Sequence, residues 1–268
     1  MMSVQFICEV GYNHMGDVDK AVEIIDAFSF CDVFKFQKMH PKTFLSKERY
    51  NSKFPDNGNY FDPIYGKHRE HLELSLDDHE MIRDYVRSLG KEWACSVHDI
   101  PSAKQIIPLK PYYLKIASGR CNNFSLINYC LENYKQMLHV STGMTSRAER
   151  QALRLKSNNI IIYSCTSDYS GTGNIYIERL PGFSCHTPDI YYAQAAILNG
   201  AKFIEYHCTV DRDWKGTDNK ISLLPDEYER LISWYMENRI KYNRIKFKKP
   251  ADVPACEMAA RKKTWSTV

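Results

Sequence analysis

Short apolar runs with the residue types of buried β-strands recur eight times along the chain, and this recurrence constrains the fold more than any other feature. They cover residues 5–11, 32–37, 92–97, 112–118, 137–142, 159–166, 182–186 and 202–209. Between them lie segments with helical signals, such as the periodic apolar residues that follow Asp17, a residue able to cap a helix. Strands that alternate with helices predict a parallel sheet.

The spacing of these strands favours closure into one barrel. A chain of 268 residues has a typical length for a (β/α)₈ barrel. A doubly wound sheet usually has fewer strands and a glycine-rich first turn, and the sequence has neither feature. The polar and aromatic segment 38–74 breaks the even spacing, and we interpret it as a long β2–α2 loop over the barrel mouth. We therefore predict an α/β fold, a (β/α)₈ TIM barrel over 1–245 with a C-terminal tail over 246–268.

Composition excludes several other classes of protein. The net charge of +4 is mild and does not call for a nucleic-acid partner. No apolar run approaches the roughly 18 residues of a membrane helix, and the N-terminus lacks a secretory pattern. The nine cysteines are odd in number, form no C-x-x-C pair and lie mostly in apolar runs. We expect reduced thiols in a cytoplasmic protein.

Polar residues fall repeatedly at the ends of the predicted strands. The active sites of such barrels lie at the carboxyl ends of the strands. The residues concerned are Glu9, Lys35, Gln37, Ser96, Lys115, Ser118, Ser141, Ser167, Tyr169, Ser184, His186, Glu205, His207 and, on the last loop, Asp218. We therefore expect one pocket at this end of the barrel.

Two lysines need an explanation of their own. Lys35 and Lys115 each lie between apolar residues, so the alternation of a strand directs both ammonium groups into the barrel. A buried ammonium group requires an anionic partner. Two interpretations remain open: a pocket for a phosphate and a carboxylate, or internal salt bridges with Glu9 and Glu205.

Two histidines lie at the same end. Glu205 and His207 share one face of the eighth strand, and His186 ends the seventh. Histidines on adjacent strands with a carboxylate nearby can hold a divalent metal, although purely structural histidines are the alternative and spacing alone identifies no metal.

At these residues the chain resembles the N-acetylneuraminate (sialic acid) synthase family and its bacterial relatives that make nonulosonic acids. The matching segments occur in family order: 9–17, 35–37, 72–80, 115–119, 141–144, 184–187 and 205–218. The family fold is a (β/α)₈ barrel. The resemblance implies a transferase that condenses phosphoenolpyruvate with an aldose, such as an N-acetylmannosamine-like amino sugar, to give a 2-keto-3-deoxy acid and phosphate.

The resemblance also assigns expected roles to individual residues. The positions that hold phosphoenolpyruvate are matched by Lys35, Ser96, Lys115, Ser118, Ser141 and Ser184. His186 and His207 match the ligands of a divalent metal, for which we expect Mn²⁺, with Mg²⁺, Co²⁺ or Zn²⁺ as alternatives. Glu9 matches a catalytic carboxylate that completes the expected catalytic set with the lysines and histidines. The acceptor-side positions are matched by Gln37, Tyr169 and Asp218, and Ser167 stands at a substrate position that is often asparagine.

The sequence departs from the family pattern on the acceptor side. Arg120 stands where glutamate is common, Cys185 where aspartate is usual, and His98 where phenylalanine is usual. The acceptor can therefore differ from N-acetylmannosamine.

The sequence ends near the point where family members continue into a small antifreeze-protein-like domain, so we expect the barrel to work without this cap. The mouth would then be covered by aromatic residues of 38–74 (Tyr50, Phe54, Tyr60, Phe61 and Tyr65), by a homodimer partner or by a separate capping protein.

Other functions remain compatible with the sequence. One is a 3-deoxy-sugar-phosphate synthase or a metal-dependent barrel aldolase. Another is a non-catalytic or partner-dependent barrel subunit, although such a protein would have no reason to retain buried charges such as Glu9 and Lys35.

Overall fold

Eight parallel strands close into a barrel in chain order. The computed structural model describes residues 4–54, 60–168, 175–216, 218–238 and 258. The strands are β1 (Gln5–Gly11), β2 (Val33–Lys38), β3 (Glu92–Val97), β4 (Leu114–Ile116), β5 (Leu138–Ser141), β6 (Ile160–Cys165), β7 (Gly182–Cys185) and β8 (Phe203–His207). Pairing of β1 with β8 completes the ring. The predicted (β/α)₈ barrel is confirmed.

Helices connect the strands. In the described ranges they are α1 (Val18–Ala27), α2 (Pro41–Phe44), α3 (Lys47–Asn51), α4 (Tyr65–His71), α5 (Leu76–Ser88), α6 (Ile100–Ile106), α7 (Phe124–Asn133), α8 (Arg147–Lys156), α9 (Tyr191–Leu198) and α10 (Pro225–Asn238). Short 3₁₀ turns span Ile107–Leu109, Ser118–Arg120 and Asn219–Ile221. No helix in these ranges has the length and apolar character needed to cross a bilayer.

Local sequence signals explain where the helices begin and end. Asp17 caps α1 by accepting hydrogen bonds from two backbone N–H groups of the first turn, as predicted. Ser75 and Asp78 form a capping box at the start of α5. Gly90 and Gly200 follow α5 and α9 with φ angles of +71° and +101°, a conformation that suits glycine after a helix.

The interior of the barrel is filled in layers. One layer consists of Ile7, Val33, Ala94, Tyr113 and Tyr163. Each of these residues lies two positions before a polar or sulfur-bearing residue towards the carboxyl end of its strand, namely Glu9, Lys35, Ser96, Lys115 and Cys165. Because side chains two apart share a face of a strand, the apolar layer lies directly beneath the polar one. This apolar layer forms the floor beneath the polar residues. His139 adds to it, because its ring stacks on that of Tyr113 with the two centroids 3.7 Å apart.

The strand residues that alternate with these layers face the helices. Phe34 and Phe36, on either side of Lys35, are fully buried in the main core between strands and helices. The cysteines of the described ranges are all buried as well. The alternation therefore places Lys35 inside the barrel, as the sequence indicated.

Segment 38–74 differs from the predicted open loop because it contains the short helices α2, α3 and α4. Gly66 permits this packing, since a Cβ atom there would overlap the ring of Tyr50. Residues 55–59 of the segment lie outside the described ranges, as does nearly all of the predicted tail 246–268.

Candidate active site

The carboxyl ends of the strands surround a cavity of about 500 Å³. Its lining includes the predicted residues Glu9, Lys35, Gln37, Ser96, Lys115, Ser118, Ser141, Ser167, Ser184, His186, His207 and Asp218. Tyr169 lies outside the described residues. The structure thus brings together, in one pocket, the described members of the predicted site.

Gly11 allows three of these side chains to converge. The pairing of β1 with β2 shifts register between Glu9 and Gly11, and Gly11 has a φ angle of +56°. A Cβ atom at Gly11 would lie 3.2 Å from Gln37 Nε2 and 3.3 Å from both Glu9 Oε1 and His207 Cε1. Because of the bulge and because Gly11 has no side chain, the carboxylate of Glu9, the amide of Gln37 and the imidazole of His207 can lie close together.

Two lysines and two glutamates form a buried ionic network at the bottom of the cavity. Lys35 is ion-paired with Glu9 and lies 3.7 Å from Glu205, while Lys115 is ion-paired with Glu205. Lys35 also donates a hydrogen bond of 2.8 Å to Ser96 Oγ. The internal salt bridges considered from the sequence are therefore present.

The network has distinct effects on its two carboxyl groups. Burial alone would raise the pKa of Glu205, but the ammonium groups of Lys115 and Lys35 outweigh it and lower the pKa to about 2. Burial raises the pKa of Glu9 despite its contact with Lys35, and the charge of Glu205 adds to the effect. Glu205 is therefore a permanent anion, whereas Glu9 has the raised pKa that suits a general base.

Hydroxyl groups surround the same floor. Ser184 Oγ donates to Glu205 Oε1 at 3.0 Å, and Ser118 Oγ accepts from the backbone N–H of Gly143 at 3.1 Å. Ser141 Oγ is buried and makes no hydrogen bond within the described part of the chain. A buried hydroxyl without a partner is costly, so Ser141 is available to donate to a bound anion.

His186 and His207 lie side by side at the ends of β7 and β8, with ring centroids 5.5 Å apart. His186 Nδ1 lies 3.1 Å from the carbonyl oxygen of Thr166, a contact that would leave Nε2 as the lone-pair nitrogen. His207 Nδ1 is buried and has no hydrogen-bond partner among the described residues. Burial lowers the pKa of His207 to about 4, so its ring is neutral near neutral pH.

These two rings fit a divalent metal held partly by the protein. In the described ranges, no three His, Cys, Asp or Glu side chains are close enough to hold an ion by themselves. The two imidazoles, in their deprotonated form, would supply protein ligands and leave the remaining positions to water or substrate oxygens, as in catalytic sites that keep an open position. Cys185 is no part of this set, because it packs in the core between strands and helices.

Gln37 links the carboxylate of the network to His98. Its amide nitrogen donates to Glu9 Oε1 at 2.6 Å, and its oxygen lies 3.1 Å from His98 Nε2. Asp218 also lines the cavity, and its charge partly opposes the effect of burial, which lowers the pKa of His207.

The segment 38–74 supplies part of the mouth. Of the five aromatic residues proposed as a lid, Phe54 and Tyr65 line the cavity. Tyr60 instead stacks on Phe54 at 5.5 Å, and Phe61 stacks on His71 at 4.3 Å. Arg49 and Arg69 also line the mouth, and no sequence signal pointed to them, because they lie within this irregular segment rather than at a strand end.

Comparison with known proteins places this geometry in a family. The model of the NeuB family matches residues 21–241. The chain belongs to the NeuB family. Among its relatives, N-acetylneuraminate-9-phosphate synthase of Mus musculus is 28% identical over an alignment of 244 positions that covers 84% of this chain and 67% of the relative. N,N'-diacetyllegionaminic acid synthase of Legionella pneumophila is 30% identical, over 86% of this chain and 71% of the relative.

A solved structure has the same fold as this NeuB-family chain. The crystal structure of N-acetylneuraminic acid (sialic acid) synthetase from Leptospira borgpetersenii superposes with a TM-score of 0.72. The match covers 97% of this chain and 91% of that chain at 21% sequence identity. At this identity the likeness supports the barrel architecture alone.

Proposed function

We propose that this chain condenses phosphoenolpyruvate with an amino-sugar aldose to give a nonulosonic acid and inorganic phosphate. The observation that carries the proposal is the cavity at the strand ends, where two inward lysines, a ring of serine hydroxyls and a paired set of histidines meet in a NeuB-family chain. Its relatives are named as synthases of such acids.

The deep end of the cavity suits phosphoenolpyruvate. Lys35 and Lys115 carry positive charge on the barrel floor, and Ser96, Ser118 and Ser141 offer hydroxyl groups around them. Phosphate and carboxylate oxygens accept strong hydrogen bonds from ammonium groups and hydroxyls. Because both lysines are already paired with glutamates, a bound anion would share them with Glu9 and Glu205.

In the proposed reaction, C3 of phosphoenolpyruvate forms a bond to the aldehyde carbon of the sugar, and the aldehyde oxygen takes up a proton. Water then adds at C2, and the C2–O bond to phosphate breaks to leave the keto acid. Glu9 is placed to accept the proton of this water, since its pKa is raised and Gln37 fixes one of its oxygens. The lysines and hydroxyls stabilise the charge on the phosphate throughout.

The NeuB family is generally metal-dependent. We propose that His186 and His207 hold the ion and that it is Mn²⁺. When bound there it would polarise the aldehyde oxygen as a Lewis acid. We also propose that the acceptor is contacted by Gln37, Ser167, Tyr169 and Asp218. We further propose that the protein acts in the cytoplasm, either as a homodimer or with a separate capping protein.

The test is release of inorganic phosphate from phosphoenolpyruvate by the purified protein with Mn²⁺ and a panel of amino-sugar aldoses. We expect release only when an acceptor is present, with one keto acid formed for each phosphate. Glu9→Gln should lower kcat by about 10²–10⁴-fold, the usual contribution of a general base. The matched control is Glu23→Gln, because Glu23 is exposed on α1, where it pairs with Lys20.

The same assay separates the proposal from the alternatives. A 3-deoxy-sugar-phosphate synthase would use aldose phosphates without the amino group. An aldolase would use pyruvate in place of phosphoenolpyruvate, and so would form keto acid with no phosphate to release. Failure of every aldose to stimulate release would contradict the proposal and favour a non-catalytic or partner-dependent subunit.

A further inference from the structure

Three arginines line the mouth of the cavity: Arg49, Arg69 and Arg120. Each guanidinium group stacks on an aromatic ring at 4.0 Å from the ring centroid, on Tyr65, Tyr12 and Phe44 respectively. The stacking fixes three planar cations at the rim of the proposed substrate pocket.

None of the three is neutralised by an ion pair within the described part of the chain. By contrast, Arg83, Arg150 and Arg212 are each ion-paired with a carboxylate. Arg69 Nε is buried and makes no hydrogen bond to a described residue. The rim therefore carries three cations that form no direct ion pair with a carboxylate of the described residues.

Arg120 is the most deeply placed of the three, with only 4% of its surface exposed. Burial lowers the pKa of its guanidinium group to about 10, an effect that Asp99 and Tyr65 only partly oppose. The group is thus charged at neutral pH, and its burial is unfavourable until an anion binds it.

The position of Arg120 places it on the acceptor side of the pocket. Its guanidinium group lies against Phe44, whose ring is 6.0 Å from that of His98. His98 in turn lies 3.1 Å from Gln37. The rings of Phe44 and His98 therefore connect Arg120 to Gln37. The lysines proposed to bind phosphoenolpyruvate lie instead at the bottom of the cavity.

The charged residues at the bottom of the cavity do not account for the three arginines at its mouth. Lys35 and Lys115 are each paired there with a glutamate, whereas the three arginines form no ion pair with a described residue. Asp218 is the acidic residue that lines the cavity besides these two glutamates in the described ranges. An excess of cations at the rim suits a second anionic group, one that belongs to the other substrate.

We propose that the acceptor sugar carries an anionic group, a phosphate or a carboxylate, and that Arg120 binds it. This inference rests on the proposed function and specifies its substrate class. If the aldehyde reaches His186 and His207 and the anion reaches the rim, the anionic group lies at the far end of the sugar, which is C6 of a hexose.

The first test compares three acceptors with phosphoenolpyruvate and Mn²⁺: a neutral 2-acetamido-2-deoxyhexose, its 6-phosphate and the corresponding 6-carboxylate. We expect kcat/KM for one anionic acceptor to exceed that for the neutral sugar by about tenfold or more, the effect of one charge-assisted contact. The better of the two identifies the anion as phosphate or carboxylate. Equal values for all three acceptors would overturn the proposal.

The second test assigns the preference to Arg120. Arg120→Met should abolish the ratio of anionic to neutral kcat/KM, and Arg120→Lys should keep part of it. If Arg120 only packed on Phe44, both acceptors would lose activity in proportion and the ratio would be unchanged, which would contradict the proposal. Arg83→Met is the matched control, because Arg83 lies on α5 and pairs with Glu80 and Asp84.

A binding measurement separates this inference from the proposed function. The hexosamine 6-phosphate and the 6-carboxylate are titrated calorimetrically into the wild-type protein and Arg120→Met without phosphoenolpyruvate. Binding of either compound that is weakened about tenfold or more by Arg120→Met would support the anion site even if no acceptor gave turnover. Binding that Arg120→Met does not weaken, or no binding of either compound, would overturn the site whether or not the condensation is observed.

Discussion

Lys115 on β4 and Glu205 on β8 form an ion pair through the interior of the barrel, although their strands are not neighbours in the sheet. The pair ties opposite sides of the sheet together beneath the cavity. Lys35 lies close to the same glutamate, at 3.7 Å. Glu205 is thus the shared counter-charge of both inward lysines.

Replacing Glu205 with glutamine should be strongly destabilising. The substitution removes the counter-charge of Lys115 and leaves a buried ammonium group, which costs about 3–5 kcal/mol. Urea unfolding at neutral pH measures the change. The double variant Lys115→Met/Glu205→Gln should be less destabilised than the single variant, because it also removes the unpaired charge. A single variant as stable as the wild type would show that Lys115 finds another partner.

Removing both pocket histidines should abolish metal binding. The variant His186→Ala/His207→Ala lacks the two imidazoles that line the cavity, and no cluster of three candidate ligands replaces them among the described residues. Elemental analysis after dialysis against Mn²⁺ should give about one ion per chain for the wild type and none for the variant. His71→Ala, on an exposed position of α4, is the control. Unchanged metal content in the double variant would mean that the ion binds elsewhere in the protein.

His79 should make the protein sensitive to acid. It is fully buried, neither ring nitrogen has a hydrogen-bond partner in the described ranges, and burial lowers its pKa from 6.5 to about 3. Because the folded pKa is depressed, the stability that the neutral ring contributes is complete above pH 6.5 and is lost as pH falls toward 3. His79→Leu should remove this loss.

The measurement is the free energy of unfolding in urea at neutral and successively lower pH. In the acidic window the wild type should lose about 1.4 kcal/mol per pH unit more than His79→Leu. The exposed His71→Leu should follow the wild type. Parallel curves for the wild type and His79→Leu would mean that His79 is protonated in the folded protein.

Gly66→Ala should disturb the mouth without unfolding the barrel. The added Cβ would overlap the ring of Tyr50, so the packing of α3 against α4 should weaken by about 1–3 kcal/mol. Phe54 and Tyr65 would shift with these elements, and turnover should fall more than metal content. Adding Tyr50→Ala makes room for the methyl group and should restore part of the turnover. A lack of rescue would argue that Gly66 acts through its backbone instead.

The barrel could be predicted from the sequence because its signals are local. A strand such as EWACSV over 92–97 is a short run rich in apolar residues, and helix caps such as Asp17 act within one turn. Inward placement of Lys35 followed from alternation along one strand. The ion pairs formed by these lysines could not be chosen from the sequence, because they depend on which strands face each other across the interior.

The residues at the mouth of the cavity were harder to predict than those at its bottom. Arg49 and Arg69 lie in a segment with neither strand nor long-helix periodicity, and their contribution depends on how α3 and α4 fold back over the barrel. Arg120 stood out in the sequence only as a departure from the family pattern. Its proposed role in binding an anion rests on its burial and on the absence of an ion pair with a described carboxylate. Both are properties of the folded chain.

The apolar floor of Tyr113, Tyr163 and their neighbours also limits the order of events. A pocket closed at the bottom has one entrance, so a molecule held on the floor must arrive before one held at the rim and depart after it. In the proposed reaction, phosphoenolpyruvate would load first and the sugar second. Free sugar that occupied the rim early would block its own reaction, so excess acceptor should inhibit the enzyme and added phosphoenolpyruvate should relieve that inhibition.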